Sequence, residues 1–182
     1  IIDTPEEIKA AKMLILPGVG AFKNGIDSLM DKGLVGPLKD SARNGTPLLG
    51  ICLGMQLLFS ESEEFGLHKG LDLIPGRVIS LKNPRDVRVE GYKVPHTGWN
   101  SLKKPYGKND AWKSTLLKNT SPGSDVYFVH SFHAVPQDKK HIIATAEYGN
   151  QEFCVVAKKD NISATQFHLE KSGMVGLNIL KS

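Results

Sequence analysis

The sequence has little cysteine, no long apolar run and no cluster of basic residues. Its 182 residues include two cysteines, too few for a disulfide framework, so the sequence indicates a reducing, cytoplasmic compartment. No apolar stretch approaches the roughly 18 residues of a membrane-spanning helix. The formal net charge of +4 comes from scattered lysine pairs, unlike the basic runs typical of nucleic-acid binding. We therefore expect neither a membrane nor a nucleic acid as a partner.

Sequence patterns that bind metals or phosphates are missing as well. No group of histidines and cysteines has zinc-ligand spacing. The glycine-rich stretch at residues 17–20 lacks the Gly-Lys-Ser/Thr that completes a phosphate-binding loop. We therefore expect no metal and no cofactor. The chain does have a hydrophobic content of 40%, enough for a substantial core, and its length suits one domain over residues 1–182.

Strand and helix patterns alternate along the first half of the chain. Short strands joined by helices indicate an α/β fold with a mostly parallel central sheet flanked by helices. The second half has closely spaced strand patterns, which indicate an additional antiparallel β portion. The predicted strands cover residues 13–16, 47–51, 77–81, 88–93, 126–130, 141–147, 152–157 and 162–168, and the predicted helices include residues 5–11, 26–30, 55–59 and 173–180.

A cysteine lies between two glycines where a predicted strand meets a helix. Gly50-Ile51-Cys52-Leu53-Gly54 has the spacing of a nucleophile elbow, a tight strand-to-helix turn that exposes a reactive side chain. The helix N-terminus is expected to lower the thiol pKa, and the Leu53 N–H is a candidate oxyanion donor. The alternative is a small buried cysteine at a strand end. The two glycines favour the functional interpretation.

A cysteine nucleophile needs a base and a group that orients it. Of six histidines, His168 has the most suitable setting, because it ends a predicted strand and Glu170 follows two residues later. In an extended segment the two side chains share one side, so the carboxylate can fix the imidazole tautomer. A surface or core histidine is the alternative for any single position.

The loop Pro17-Gly18-Val19-Gly20 follows a predicted strand. On its own it indicates only a turn, but glycine allows the positive φ that turns an N–H inward. With Leu53, this loop could complete an oxyanion hole.

Together, PGVG, GICLGMQ and QFHLEKSG resemble the corresponding segments of class I glutamine amidotransferases, the family with a Cys-His-Glu triad. VPHTGWN at residues 94–100, YFVHS at 127–131 and LPGVGAF at 16–22 are similar to the glutaminase subunits of imidazole glycerol phosphate synthase. The resemblance extends over essentially the whole chain. It implies a flavodoxin-like fold and hydrolysis of L-glutamine.

The resemblance also implies roles for individual residues. Ammonia would pass to a cyclase partner with a (β/α)8 barrel, in a heterodimer, and would yield imidazole glycerol phosphate and aminoimidazole carboxamide ribotide in histidine biosynthesis.

If the family resemblance is set aside, Gln56 could be a solvated helix residue and Trp99 a packing residue. The implied sites are Cys52, His168 and Glu170 for catalysis, Gly20 and Leu53 for the oxyanion hole, Gly18, Gln56, His130, Ser131 and Phe132 for glutamine, and His96, Trp99, Asn100 and Lys171 for the partner interface.

The chain departs from the family pattern in two places. Leu169 stands where the family usually has proline, which would stiffen the segment between His and Glu. The family also has a strand and a helix before the position of Ile1, so we expect these to be missing here. Leu169 leaves open a paralogous glutaminase that supplies ammonia for amidine formation on a bacterial surface nucleotide sugar. A peptidase-like or non-enzymatic relative with the same elbow is a third possibility, against which the intact triad and Gln56 argue.

Overall fold

The computed structural model describes residue 2, residues 4–83, residue 86, residues 89–107 and residues 110–182. Within these ranges the helices are α1 (Pro5–Ala10), α2 (Phe22–Asp31), α3 (Val35–Arg43), α4 (Leu53–Leu57) and α5 (Gly173–Leu180), with 3-10 helices at Lys139–His141 and Leu169–Lys171. The strands are β1 (Leu14–Gly18), β2 (Leu48–Cys52), β3 (Phe59–Ser62), β4 (His68–Lys69), β5 (Ile74–Ser80), β6 (His96–Ser101), β7 (Asp125–His130), β8 (Phe132–Pro136), β9 (Ile142–Tyr148), β10 (Gln151–Lys159) and β11 (Ile162–Thr165).

A five-stranded central sheet has the order β1-β2-β11-β10-β9. β2 pairs in parallel with both β1 and β11, while β10 pairs antiparallel with β11 and β9. Four of the five strands therefore run in one direction, and β10 alone is reversed. This arrangement confirms the α/β class and the mostly parallel central sheet.

The additional β portion forms a four-stranded sheet, β4-β3-β5-β8, and a two-stranded sheet, β6-β7. The β5–β8 and β6–β7 pairs are antiparallel, as the sequence predicts for the second half. In the β6–β7 pair His96 lies directly opposite His130. This pair of strands forms one wall of the site described below.

The apolar core covers both faces of the central sheet. Apart from a bulge that places Val155 and Val156 in the same cluster, neighbouring residues of β10 belong to different clusters, with Cys154 in the cluster that includes the helices α1 to α4 and Val155 in the cluster of Phe128 and Phe167. This alternation is the period of two that a strand buried on both faces requires. None of the helices in the described ranges has the length and apolar character that crossing a bilayer requires.

Several predicted boundaries differ from the structure. Phe59 begins β3 and is not on a helix face, because α4 ends at Leu57. The run from Leu57 to Phe59 is buried throughout, and an apolar run does not reveal by periodicity whether it is helix or strand. The predicted strand at 88–93 begins outside the described residues, and residues 89–93 are not in a strand. Helix α3 and strands β3, β4, β6 and β8 were not predicted.

Candidate active site

Cys52 lies at the sharp turn from β2 into α4. It ends β2, is the residue before the first turn of α4, and has φ 55° and ψ −111°. This unusual backbone conformation at a strand-to-helix turn is the geometry of a nucleophile elbow. The elbow predicted from the glycine spacing is therefore present.

The two glycines of the elbow are required by close packing. A Cβ on Gly54 would lie 1.7 Å from the Leu16 carbonyl oxygen of β1, and a Cβ on Gly50 would lie 2.9 Å from the Gly54 carbonyl oxygen. Both obstacles are backbone atoms, which cannot rotate away. The absence of side chains lets α4 pack directly against β1 and β2.

We predict that Gly54→Ala destabilises the fold by more than about 3 kcal/mol, because the new methyl group overlaps a backbone carbonyl. Urea unfolding followed by circular dichroism measures the effect. Gly36→Ala is the matched control, since a Cβ on Gly36 in α3 has no atom within 4 Å. That control should be neutral or slightly stabilising, by up to about 1 kcal/mol. Equal stability of the two variants would contradict the packing argument.

A cavity of about 360 Å³ opens beside the elbow. It is bounded by the elbow, the glycine-rich loop, the end of β7, the start of β8 and the segment after β11. Its lining residues are Val19, Gly20, Cys52, Leu53, Gln56, Glu64, Pro95, Val129, His130, Ser131, Phe132 and His168.

The Cys52 thiol is nearly inaccessible, with 6% of the residue exposed. Its Sγ lies 4.0 Å from the Val129 carbonyl oxygen, to which the thiol can donate, and 3.9 Å from the Gln166 amide nitrogen, which donates to it. Burial raises the thiol pKa to about 11, against the lowering effect of the Leu53 N–H. The lowering effect predicted for the helix start is present in the Leu53 N–H, but burial outweighs it, so the net pKa of the thiol is raised.

His168 and Glu170 form a close pair beside this cavity. His168 Nδ1 and Glu170 Oε1 are 2.6 Å apart, and His168 is 3% exposed. His168 lies beyond β11, which ends at Thr165, and its N–H donates to the Tyr127 carbonyl oxygen over 3.0 Å. The expected strand therefore ends three residues early, but His168 remains at the edge of the sheet where β2 ends.

The other nitrogen of His168 is available for chemistry. Nε2 is buried, and none of the described residues provides it with a hydrogen-bond partner. Burial opposes ionisation of Glu170, but the hydrogen bond from His168 and the nearby Lys171 charge hold the Glu170 pKa below its usual value. An ionised Glu170 fixes the proton of neutral His168 on Nδ1, which leaves Nε2 as a base.

The structure brings most of the predicted pocket residues together. Gln56, His130, Ser131 and Phe132 all line the cavity, as do Gly20 and Leu53 of the predicted oxyanion hole. Gly18 lies outside it, in a neighbouring groove. Leu169, which replaces the usual proline, is 1% exposed and packs in the core, so its side chain anchors the segment between His168 and Glu170.

Sequence reasoning missed two polar residues of this region. Glu64 lines the cavity, and its Oε2 accepts a hydrogen bond from the Phe22 N–H over 2.6 Å. Gln166 is fully buried beside Cys52 and donates to its sulfur. Nothing in the acidic run around Glu64 distinguishes it from a solvated surface. Gln166 lies two residues before His168, a proximity that could have drawn attention to it.

The predicted partner residues do not all lie at the surface. Trp99 is 57% exposed, its ring lies 5.9 Å from that of Tyr127, and Lys171 Nζ lies 5.9 Å from the Tyr127 ring. We call these three residues the Trp99 surface. Asn100 is half-buried, while His96 is only 2% exposed. The structure therefore does not support a direct partner contact by the His96 side chain, because the ring is enclosed by Phe128 and Tyr148.

The family model for the class-I glutamine amidotransferases matches residues 1–180. The imidazole glycerol phosphate synthase subunit HisH 1 of Legionella pneumophila strain Paris is 47% identical over 181 residues, covering 100% of this chain and 84% of the relative. The HisH subunit of Syntrophotalea carbinolica is 46% identical over 184 residues, with 100% and 85% covered. That of Moorella thermoacetica is 46% identical over 182 residues, with 100% and 80% covered.

The chain therefore belongs to the class-I glutamine amidotransferases, a family of enzymes. Within that family it is similar to the HisH subunits of imidazole glycerol phosphate synthase. This confirms the family identified from the sequence motifs. The relatives named above give no support to the alternative of a surface-sugar paralogue.

Solved structures agree with this fold. The crystal structure of a glutamine amidotransferase gives a TM-score of 0.66 at 15% identity, covering 99% of this chain and 81% of that chain. The glutaminase domain of Trypanosoma brucei CTPS, solved with bound acivicin, gives 0.62 at 16% identity, with 97% and 72% covered. At these identities the similarity concerns the fold alone.

Proposed function

We propose that this chain is a glutaminase that hydrolyses L-glutamine to glutamate and ammonia through a thioester on Cys52. The observation that carries the proposal is the shared cavity of Cys52 and His168, in which Glu170 holds His168 through Nδ1. A nucleophile, a base and a group that orients the base are the parts that acyl transfer requires.

The reaction needs two proton transfers through His168. As Sγ of Cys52 attacks the side-chain carbonyl carbon of glutamine, its proton passes to His168 Nε2. The N–H groups of Gly20 and Leu53 stabilise the oxyanion. The imidazolium returns the proton to the departing nitrogen, so that ammonia leaves and the glutamyl thioester remains. Water, deprotonated by His168, then attacks the thioester carbon, and as the carbon–sulfur bond breaks the imidazolium returns that proton to Sγ, which releases glutamate and restores the Cys52 thiol.

The remaining cavity residues would bind glutamine. Gln56, His130, Ser131 and Phe132 bound the space next to the sulfur, with Gly18 as a further predicted contact. Glu64 contributes a carboxylate to the same lining, and it suits the α-ammonium group of an amino acid. This gives the pocket a basis for selecting a free amino acid over a peptide.

The proposed recipient of the ammonia is a cyclase subunit with a (β/α)8 barrel, bound as a heterodimer. The relatives that are 46–47% identical are named as subunits of imidazole glycerol phosphate synthase, which supports the existence of a partner subunit. The Trp99 surface offers an exposed aromatic residue of the kind enriched at interfaces. The products would be imidazole glycerol phosphate and aminoimidazole carboxamide ribotide in histidine biosynthesis. We further propose one domain and a cytoplasmic location.

The chemistry also suggests that the isolated chain is a slow enzyme. At neutral pH a thiol with a pKa of about 11 is almost entirely protonated, and Sγ donates towards Val129 instead of His168. We expect the partner and its ligand to favour an arrangement in which His168 reaches the thiol.

Ammonia and glutamate release from L-glutamine tests the proposal, alone and with a candidate barrel subunit. We expect slow release alone, faster release with the partner, and none from L-asparagine or a denatured protein substrate. Full activity without any partner would contradict the coupling. Peptide cleavage without glutamine hydrolysis would favour the peptidase-like alternative.

A further inference from the structure

Two buried histidines on neighbouring strands hydrogen-bond to each other. His96 Nδ1 and His130 Nε2 are 3.0 Å apart, and His130 Nδ1 lies 2.9 Å from the Phe132 carbonyl oxygen. A carbonyl only accepts, so His130 Nδ1 carries a hydrogen. Neutral His130 then has a bare Nε2, and His96 Nδ1 must be the donor to it. One carbonyl therefore fixes both tautomers.

The outer end of this pair reaches the side chain of Asn100, which follows Trp99 in the sequence of β6. Because His96 uses its hydrogen on Nδ1, its Nε2 accepts, and the Asn100 amide nitrogen lies 3.4 Å away. Asn100 is itself held, since its nitrogen donates to the Glu147 carbonyl oxygen over 2.9 Å and its oxygen accepts from the Ser101 N–H over 2.8 Å. All donors therefore point inward, from Asn100 to His96 to His130.

On the side of His130, further hydrogen bonds lead from the Phe132 carbonyl to the Cys52 thiol. The Phe132 carbonyl oxygen also accepts from the Gln56 amide nitrogen over 3.0 Å. The same nitrogen donates to Gln166 Oε1 over 3.1 Å, and Gln166 Nε2 donates to Cys52 Sγ over 3.9 Å. Gln56 donates both amide hydrogens to protein acceptors, so the orientation of its amide is fixed. Because Gln166 Oε1 accepts one of these hydrogens, the orientation of the Gln166 amide is fixed as well.

We propose that these contacts form a hydrogen-bond relay that positions the Cys52 thiol and connects it to half-buried Asn100, the residue that follows Trp99 on β6. The Phe132 carbonyl is the common acceptor at its centre, with His130 donating from one side and Gln56 from the other. Its members, in order, are Asn100, His96, His130, the Phe132 carbonyl, Gln56, Gln166 and Cys52. His96, predicted to contact a partner, becomes a positioning residue inside the relay. Gln166 becomes the residue that presents a donor to the sulfur. The catalytic meaning of the relay rests on the proposed function, but its effect on the thiol does not.

The relay depends on both histidines being neutral. Burial lowers the pKa of His96 to about 4 and that of His130 to about 3. A second proton on His130 Nε2 would face the hydrogen on His96 Nδ1, and one on His96 Nε2 would face the amide hydrogens of Asn100. At neutral pH the relay is therefore intact, and Gln166 Nε2 stabilises the thiolate form of Cys52.

Two substitutions of His96 separate the relay from simple packing. His96→Asn places an amide nitrogen near the position of Nδ1 and can keep the donor to His130, whereas His96→Phe keeps the ring that stacks on Tyr148 and Phe128 and removes the donor. The probe is alkylation of Cys52 by iodoacetamide at pH 8, read from the Cys52 peptide by mass spectrometry. Below the thiol pKa this rate follows the thiolate fraction. We expect His96→Phe to slow it about threefold and His96→Asn to stay within about twofold of the parent.

Gln166→Leu removes the last donor and should slow alkylation about tenfold, as for a thiol pKa raised by about one unit. His133→Asn and His133→Phe are matched controls, because His133 is equally buried but pairs with Gln151, outside the relay. Both controls should alkylate at the parent rate. Thermal unfolding shows which variants remain folded. If His96→Phe does not fold, Asn100→Ala replaces it as the relay variant, because Asn100 is only half-buried. Asn100→Ala should also slow alkylation.

The relay is wrong if His96→Phe alkylates as the parent does, whatever the rate of His96→Asn. A slow His96→Asn beside a parental His96→Phe would show that packing of the ring is what matters. An unchanged rate in Gln166→Leu, or equal slowing in the His133 variants, would also overturn it. A parent chain that alkylates as expected but does not hydrolyse glutamine with its partner would refute the proposed function and leave the relay standing.

Discussion

Replacing Cys52 with alanine should lower kcat for ammonia release from L-glutamine by at least about four orders of magnitude. The sulfur is the atom that forms the thioester, and no other described nucleophile lies on the elbow with the backbone conformation of Cys52. Without the covalent intermediate, only direct attack by water remains, and the cavity is not arranged for that step. Release of glutamate and of ammonia, measured separately, gives the same loss if both arise from one intermediate.

Cys154→Ala is the control for this loss. Cys154 is also buried, but it packs in the cluster on the helix side of the central sheet, away from the cavity lining. It should keep near-parental activity. The barrel subunit in complex with Cys52→Ala should still make product from added ammonium, because only the source of nitrogen is lost. Glutamine hydrolysis near the parental rate in Cys52→Ala would refute the assignment of the nucleophile.

The elbow was predictable because its cause is local. Gly50 and Gly54 are close in sequence to Cys52, and their spacing predicts a tight strand-to-helix turn, in which Gly54 admits the backbone of β1 and Gly50 admits the backbone of Gly54. The His168–Glu170 pair is local in the same sense, since the interacting positions are two apart in sequence. Sequence patterns recover such features because the interacting groups are held in register by a single segment.

The thiol pKa and the relay were not predictable, because their causes are distant in sequence. The sign of the pKa shift depends on burial of Cys52, to which Val129 on β7 contributes a carbonyl contact 77 positions away. Gln56 and Gln166 meet over 110 positions, and His96 and His130 over 34. A single sequence does not reveal which strands pair, so the placement of His96 inside the protein could not be inferred.

The second large effect is expected for His168→Asn. The asparagine amide nitrogen lies near the position of Nδ1, so it can still donate to Glu170, but no group remains at the position of Nε2. Loss of the general acid and base should lower kcat by about three to four orders of magnitude, with a smaller change in KM. Steady-state glutamine hydrolysis in the complex with the partner subunit measures both constants. His133→Asn, a buried histidine outside the cavity lining, should remain within a few-fold of the parent.

Alkylation of Cys52 in His168→Asn shows when His168 acts. In the structure the sulfur contacts Val129 and Gln166, and burial sets the thiol pKa. Iodoacetamide should therefore label Cys52 of the isolated variant within about twofold of the parental rate, since its hydrogen bonds are unchanged. Glutamine hydrolysis would still fall steeply, because proton transfer to Nε2 belongs to the step in which substrate is attacked. If labelling fell in parallel with hydrolysis, His168 would already ionise the thiol in the isolated chain, and the slow resting enzyme would need another explanation.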